Sequence, residues 1–130
     1  MSDLKTQNHN LNFKTNTKYR AYRFSLAIIK FIESLPNKRI YWSIGDQLLR
    51  SSTSIGANMV EAKASSSKKE FIKYYAIALK SANETQYWLC LLRDSELVNK
   101  DTVVPILQEV TEISRMLGSS LLTMKGKKRF

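Results

Sequence analysis

The sequence is poor in the residues that catalytic and metal centres most often use. Its 130 residues include one histidine, His9, and one cysteine, Cys90. A lone histidine near the N-terminus cannot form a His-based triad or a cluster of histidine ligands within one folded core. Cys90 lies in the apolar segment "YWLCLL", where we expect a buried and inert thiol. The sequence therefore favours a protein that is not an enzyme and uses no cofactor, metal or small-molecule substrate.

Disulfides, long apolar runs and glycine-rich loops are also missing. One cysteine permits no internal disulfide, which is typical of a protein of the reducing cytoplasm. The longest apolar runs, such as "SLAIIKFI", are too short to cross a bilayer, and the polar first 18 residues lack the apolar centre of a signal peptide. The single glycine of "SIGAN" is too few for a phosphate-binding loop. We expect a cytoplasmic protein that binds neither a membrane nor a nucleotide.

Positive charge is what the chain has in excess. Its 21 basic residues outnumber 11 acidic ones and give a net charge of +10. Such a balance makes a polyanion the first partner to consider, although solubility alone also explains a basic chain. The tail "KGKKRF" is basic, whereas the last predicted helix is acidic at its start. The residues that we predict to contact nucleic-acid phosphates are Arg20, Arg23, Lys38, Arg39, Lys125, Lys127, Lys128 and Arg129.

Apolar residues recur at helical spacing in two segments of the N-terminal half. The first predicted helix covers about residues 19–34 and ends before Pro36. The second is predicted to start near Ser43, where Asp46 provides a variant of the capping box. The core-facing residues that we predict are Tyr22, Leu26, Ile29 and Ile32 in the first helix, and Ile44, Leu48, Ile55, Met59 and Ala62 in the second.

Two further helices are predicted in the C-terminal half. The segment "SKKE", from Ser67 to Glu70, is a capping box that starts the third helix. The fourth begins at Asp101 or Thr102, with Pro105 tolerated near its first turn. The predicted core-facing residues are Phe71, Tyr75, Ala78, Ala82, Leu89 and Leu92 in the third helix, and Val103, Ile106, Leu107, Val110, Ile113, Leu117 and Leu121 in the fourth.

These patterns together predict an all-α protein. No segment alternates with period two for long enough to form a strand. Four long helices joined by short turns form an antiparallel up-and-down four-helix bundle. We expect a flexible N-terminal arm over residues 1–18, the bundle domain over residues 19–124 and a basic tail over residues 125–130.

The second helix contains the stretch "LLRSSTSIGANMVEAKASSS", which is rich in serine and threonine. At 100° per residue, one narrow sector of this helix holds Arg50, Ser54, Asn58 and Glu61. On the third helix, Ser81 and Glu84 share a face one turn from Trp88. These polar residues form either a recognition patch or an interhelical network that fixes the register. We favour the network, because buried polar groups must satisfy one another.

The aromatic residues allow two interpretations as well. Six of them exceed what one face per helix can bury, and these are Tyr41, Trp42, Tyr74, Tyr75, Tyr87 and Trp88. They could stack on unpaired bases or fill a subunit interface, where Tyr and Trp are enriched. We favour the interface, because exposed apolar surface on a thin bundle usually marks a partner.

The segment "QLLRSSTSIGANMVEA" resembles the motif of the four-helix-bundle proteins encoded in intervening sequences of 23S rRNA. That family shows Gln-x-x-Arg, Ser-Ile, Asn-Ile-x-Glu-Gly and, later, Ala-x-Gly-Ser-x-x-Glu. The matching residues here are Gln47, Arg50, Ser54, Ile55, Asn58, Glu61, Ala78, Ser81 and Glu84. Three positions depart from the pattern, with Gly56 in place of proline and with Ala62 and Lys80 in place of glycine.

The resemblance implies a homopentameric ring of bundles with no known enzymatic activity. It also implies kinship with the accessory variability determinants of diversity-generating retroelements, which partner a reverse transcriptase and bind nucleic acid through a basic surface. We therefore expect a non-enzymatic homo-oligomer that binds RNA or another nucleic acid. The alternative is a protein-interaction scaffold, or an accessory subunit of an enzyme such as a reverse transcriptase, whose basic charge is incidental.

Overall fold

The computed structural model describes residues 16–126, which form four α-helices. These are α1 (Thr17–Glu33), α2 (Arg39–Lys63), α3 (Lys68–Asp94) and α4 (Lys100–Met124). Connections of four or five residues reverse the chain after each of the first three helices. Consecutive helices pack on one another, and α1 also packs on α4 to close the bundle. Within residues 16–126 there is no strand. The predicted all-α four-helix architecture is confirmed.

The core lies along the bundle axis and is filled from all four helices. The predicted stripe of α4 is confirmed, because Val103, Val110, Ile113 and Leu117 are fully buried. The stripes of α2 and α3 also face inward, and their fully buried members are Leu48, Ile55, Ala62, Ala78, Ala82, Leu89 and Leu92. These helices place their apolar residues at three- and four-residue steps on one face, which burial against three neighbours then stabilises.

The face that α1 buries differs from the predicted one. Leu26 and Ile29 are 44% and 41% exposed, whereas Phe24, Ile28 and Phe31 are buried. Two apolar stripes at helical spacing run along α1, and the stripe with two phenylalanines packs inward. That choice removes the larger apolar area from water. The prediction of Leu26 and Ile29 as core residues was therefore wrong, and both remain on the surface. Ile32, predicted with them, is partly buried and packs against the core.

The start of α2 also differs from the prediction. The helix begins at Arg39, one turn before Ser43, and its N-cap Lys38 makes no side-chain capping bond. One tertiary and one local hydrogen bond hold side chains of this first turn. The Tyr41 hydroxyl donates to the Leu97 carbonyl at 2.7 Å, and the Trp42 indole N–H donates to Asn37 Oδ1 at 2.8 Å. Both bonds anchor side chains of the first turn, but neither pairs a backbone N–H as an N-cap would.

The predicted capping box at the start of α3 is confirmed. Ser67 Oγ accepts from the Glu70 backbone N–H at 3.1 Å, and Glu70 Oε1 accepts from the Ser66 N–H at 3.2 Å. The start of α4 lies one residue earlier than predicted, at Lys100. There the Asn99 side chain accepts from the Asp101 N–H at 2.8 Å. Asparagine is among the preferred N-cap residues, because its side-chain oxygen satisfies an otherwise unpaired helical N–H.

Small residues allow α1 and α2 to approach each other closely. A Cβ atom added at Gly56 would lie 3.6 Å from the Ala21 Cβ, and one added at Gly45 would lie 3.6 Å from Ile32 Cγ2. Both distances are ordinary van der Waals contacts, so each site has room for one methyl group. The two contacts show that α1 and α2 run antiparallel, because Gly56 meets the start of α1 and Gly45 meets its end.

We predict that Gly56→Ala stabilises the protein by about 0.5–1 kcal/mol, because alanine restricts the unfolded chain and its methyl group fits against Ala21. Urea unfolding followed by circular dichroism measures the change. Gly118→Ala is the matched control, since nothing lies within 4 Å of a Cβ added there. Destabilisation by Gly56→Ala alone would show that the contact with Ala21 tolerates no added atom.

Candidate nucleic-acid interface

Paired hydroxyl groups line the contact between α2 and α3. The Ser51 and Thr85 hydroxyls lie 2.9 Å apart, and one turn further along Ser81 donates to Ser54 Oγ at 2.9 Å. Ser51 is 3% exposed and Thr85 is fully buried. The Thr85 hydroxyl also donates to the Ser81 carbonyl at 2.8 Å. These pairs satisfy polar groups that would otherwise be buried without partners.

The other residues of the family motif divide between this contact and solvent. Asn58 Nδ2 donates to the carbonyl and the hydroxyl of Ser54, at 2.8 and 2.9 Å, and so extends the hydroxyl pairs along α2. Arg50 is exposed and donates to Gln47 Oε1 on its own helix. Glu61 and Glu84 are exposed too. Of the polar sector that the sequence predicts on α2, Ser54 and Asn58 therefore lie at the α2–α3 contact, whereas Arg50 and Glu61 are exposed to solvent.

Arg20 forms an ion pair within the bundle. Its Nε and a terminal guanidinium nitrogen donate to both carboxylate oxygens of Glu109, at 3.0 and 2.7 Å. The hydrogen bonds to Glu109 raise the pKa of Arg20. This bidentate pair joins α1 to α4, and it uses one of the acidic residues noted in the sequence. The charge of Arg20 is therefore compensated by Glu109.

The other predicted phosphate contacts do not form one surface. Lys38 and Arg39 lie at the start of α2, whereas Lys125 follows the end of α4 at the other end of the bundle. The length of α2, about 37 Å for 25 residues, separates the two groups. Arg23 is exposed on α1, with its guanidinium 5.8 Å from the Tyr19 ring centre. Lys127, Lys128 and Arg129 lie outside the described residues.

Lysines concentrate at one end of the bundle. The up-and-down order brings together the start of α1, the end of α2, the start of α3 and the end of α4. We call this region the basic end, and its lysines are Lys18, Lys63, Lys68, Lys69, Lys73 and Lys125. The acidic residues there are Glu61 and Glu70. The opposite end is closer to neutral. Its five basic residues are Lys30, Lys38, Arg39, Arg93 and Lys100, and its four acidic residues are Glu33, Asp94, Glu96 and Asp101.

Two lysines of the basic end lie close together. Burial and the nearby ammonium group of Lys63 lower the pKa of Lys18. Like charges held this close create a positive potential that a bound phosphate would relieve. Sequence analysis missed five of the six lysines, although Lys63, Lys68, Lys69 and Lys73 lie within eleven residues of one another. That local run, together with the antiparallel order that brings Lys18 and Lys125 to the same end, was the signal that could have grouped them.

Two of the six aromatic residues expose more than half of their surface. Tyr87 is 59% exposed and Trp42 is 56% exposed, while the other four are partly buried. Trp88 is held by Glu84, whose Oε2 accepts from the indole N–H at 2.9 Å. The Tyr87 ring packs edge-to-face on Trp88, with ring centres 5.2 Å apart and planes at 74°. The two aromatic rings and the carboxylate thus form one connected group on α3.

Residues 16–126 contain neither a metal-binding cluster nor a membrane-spanning helix. In that range no group of three or more histidine, cysteine, aspartate or glutamate side chains could hold a metal ion. None of its helices is long and apolar enough to cross a membrane. Cys90, which we expected to be buried, is half-buried.

The helix order and the closed packing define a four-helix-bundle protein with a polar α2–α3 contact. The chain belongs to the 23S rRNA-intervening sequence protein family, which matches residues 14–119. It is also similar to the crystal structure of a protein of unknown function from the S23 ribosomal protein family of Bacteroides thetaiotaomicron VPI-5482. The two are 38% identical with a TM-score of 0.76, over 81% of this chain and 97% of that one. A comparison with curated proteins gave no match.

We predict that Thr85→Val destabilises the fold by about 1 kcal/mol, because it removes a buried, hydrogen-bonded hydroxyl without changing the side-chain shape. A double-mutant cycle with Ser51→Ala, measured by urea unfolding, isolates the coupling across the α2–α3 contact. Thr123→Val is the matched control, since that hydroxyl donates to the Ser119 carbonyl at an exposed position. Additive effects of the two substitutions would show that the paired hydroxyls do not stabilise each other.

Proposed function

We propose that this protein is a non-enzymatic four-helix bundle that binds RNA or another nucleic acid through the basic end. The single observation that carries the proposal is the uneven charge of the two ends, with six lysines against two glutamates at one and five basic against four acidic residues at the other. The family description, which refers to an intervening sequence of 23S rRNA, supports RNA as the polyanion. Three further basic residues follow Gly126 in the sequence.

Lysine ammonium groups suit this kind of binding. They contact phosphates as point charges and release condensed counterions, so they recognise the backbone and not the base sequence. Five of the six lysines of the basic end are exposed, so their ammonium groups can reach a phosphate without any rearrangement of the bundle. These are Lys63, Lys68, Lys69, Lys73 and Lys125. The repulsion between the ammonium groups of Lys18 and Lys63 also favours binding, because a phosphate that contacts both would attract each of them.

We predict that Lys63→Gln/Lys68→Gln/Lys125→Gln weakens binding to a structured RNA. Each lost phosphate contact lowers the slope of log affinity against log salt by about 0.7–0.9. Fluorescence anisotropy across a salt series measures both affinity and slope. The matched control is Lys38→Gln/Arg39→Gln/Lys100→Gln, which makes the same change in charge at the opposite end. Equal losses in the two variants, or no binding by the unmodified protein at low salt, would contradict the proposal.

We also propose that the bundle assembles into a homopentameric ring, the state that the family resemblance implies. Exposed apolar residues support self-association. On α2, Trp42, Leu49 and Val60 share one sector at 100° per residue and are 56%, 37% and 51% exposed. The antiparallel contacts at Gly45 and Gly56 place Leu49 level with Ile29, which with Leu26 forms the exposed apolar part of α1. An apolar surface that spans two helices typically marks an interface.

The assembly is tested by Leu49→Glu, which places a charge at the centre of this apolar surface. We expect multi-angle light scattering at micromolar concentrations to give an oligomer for the unmodified protein and a smaller particle for the variant, with helicity unchanged. Leu122→Glu is the matched control, because Leu122 is 48% exposed and lies on α4. A monomeric mass for the unmodified protein would refute self-association.

The same exposed apolar stripe favours a second candidate function, a protein-interaction scaffold or an accessory subunit of an enzyme such as a reverse transcriptase. In that case the basic charge has no role in recognising the partner. A purified partner that stays bound after nuclease treatment, and that Leu49→Glu releases, would support this function. Retention of the partner by Leu49→Glu would exclude the stripe as the binding surface.

A further inference from the structure

Three lysines and a tyrosine follow one another along the exposed face of α3. Lys69, Lys73, Lys80 and Tyr87 fall within a sector of about 40° at 100° per residue. All four are exposed, and Tyr87 is 59% exposed. The row begins at the basic end and extends about 27 Å along the helix. We call it the α3 face. A row of cations that ends in an exposed aromatic ring matches the two chemical parts of a nucleic-acid strand, its phosphates and its bases.

The aromatic end of the α3 face is held in place by neighbouring groups. Glu84 Oε2 accepts from the Trp88 indole N–H at 2.9 Å, which fixes the indole. The Tyr87 ring then packs edge-to-face on that indole, with ring centres 5.2 Å apart. Tyr87 therefore presents an oriented aromatic surface to solvent, and ordering it would add little entropy cost when a ligand binds.

We infer that the α3 face binds single-stranded nucleic acid, with Lys69, Lys73 and Lys80 on the backbone phosphates and Tyr87 stacked on an unpaired base. This inference rests on the proposed function and names its substrate class. Unpaired bases can splay outward and stack on aromatic rings, whereas the bases of a duplex are already stacked and paired. A positively charged track beside an aromatic platform is the general solution for single strands.

The order of charged residues along α3 indicates that Tyr87 contacts a base and not a phosphate. Glu84 is exposed on the same side of the helix, between Lys80 and Tyr87. Its carboxylate would repel a phosphate there, so the phosphate track ends at Lys80 and an uncharged group must follow. Glu84 is thus a positioning residue, which orients Trp88 and, through it, Tyr87.

The test compares an unstructured RNA of about 12 nucleotides with the same strand annealed to its complement. We expect the unmodified protein to prefer the single strand, and Tyr87→Leu to weaken single-strand binding about 5- to 150-fold, the range that loss of one base–aromatic stack gives. Tyr87→Phe keeps the ring and should bind like the unmodified protein. Ile40→Ala, which removes an exposed apolar side chain (48% exposed) at the opposite end of the bundle, is the control and should bind normally.

Substitutions at Glu84 separate positioning from simple repulsion. Glu84→Ala frees the indole and should weaken single-strand binding, while Glu84→Gln keeps an acceptor for the indole N–H and should restore it. Tighter binding by Glu84→Ala would overturn the positioning role, because it would show that the carboxylate only repels the strand.

The remaining outcomes distinguish this inference from the proposed function. Unchanged single-strand affinity in Tyr87→Leu, together with loss of binding in Lys63→Gln/Lys68→Gln/Lys125→Gln, would overturn the α3 face and leave the basic end intact. No binding of either RNA by the unmodified protein would overturn both. A smaller particle mass for Tyr87→Leu at unchanged affinity would also overturn the inference, because it would show that the face joins copies of the chain.

Discussion

The close approach of α2 to α3 is the constraint on which the other surfaces depend. Serine and threonine at this contact are small enough to bring the helices together, yet each adds a hydroxyl that must be paired once buried. The pairs Ser51–Thr85 and Ser54–Ser81 meet that requirement on successive turns. A slip along either helix would separate both pairs at once. The polar contact therefore fixes the register, while the apolar core supplies most of the stability.

The segregation of charge follows from the same topology. Short connections force consecutive helices to alternate in direction, so the chain segments on both sides of the α2–α3 turn lie at the end where α4 finishes. Lysines from separate parts of the sequence therefore gather at one end of the bundle. Lys63 and Lys125 also lie beside helix C-termini, where a cation interacts favourably with the helix dipole. Their positions thus suit the stability of the helices as well as phosphate binding.

Sequence reasoning was most accurate where local signals and packing agreed. The capping box at Ser67 and the single apolar stripe of α4 each had one consistent interpretation. It was wrong for α1, where Leu26 and Ile29 compete with Phe24 and Phe31 at the same spacing, and the volume of the core decides between the stripes. It was wrong at the start of α2, because that helix begins one turn before Ser43 without any side-chain cap to mark the place.

The candidate site was harder to predict, because it depends on pairing across the bundle. Arg20 looks like any other cation in the sequence, and only the fold shows that Glu109 compensates its charge. Of the lysines of the basic end, Lys63, Lys68, Lys69 and Lys73 form a local run, but only the fold brings Lys18 and Lys125 beside them. The sequence also does not show that Tyr87 is exposed, because it precedes two apolar residues, Trp88 and Leu89, that are partly and fully buried.

The motif that identifies the family acts on two sides of α3. Ser81 points towards α2 and donates to Ser54, whereas Glu84, almost one turn later, is exposed and holds Trp88. One motif therefore couples the helix register to the orientation of an aromatic surface. Lys80, which stands where the family pattern has glycine, is exposed beside Ser81 and does not enter the α2–α3 contact. The departure from the family thus leaves the bundle undisturbed and adds a cation between the basic end and Tyr87.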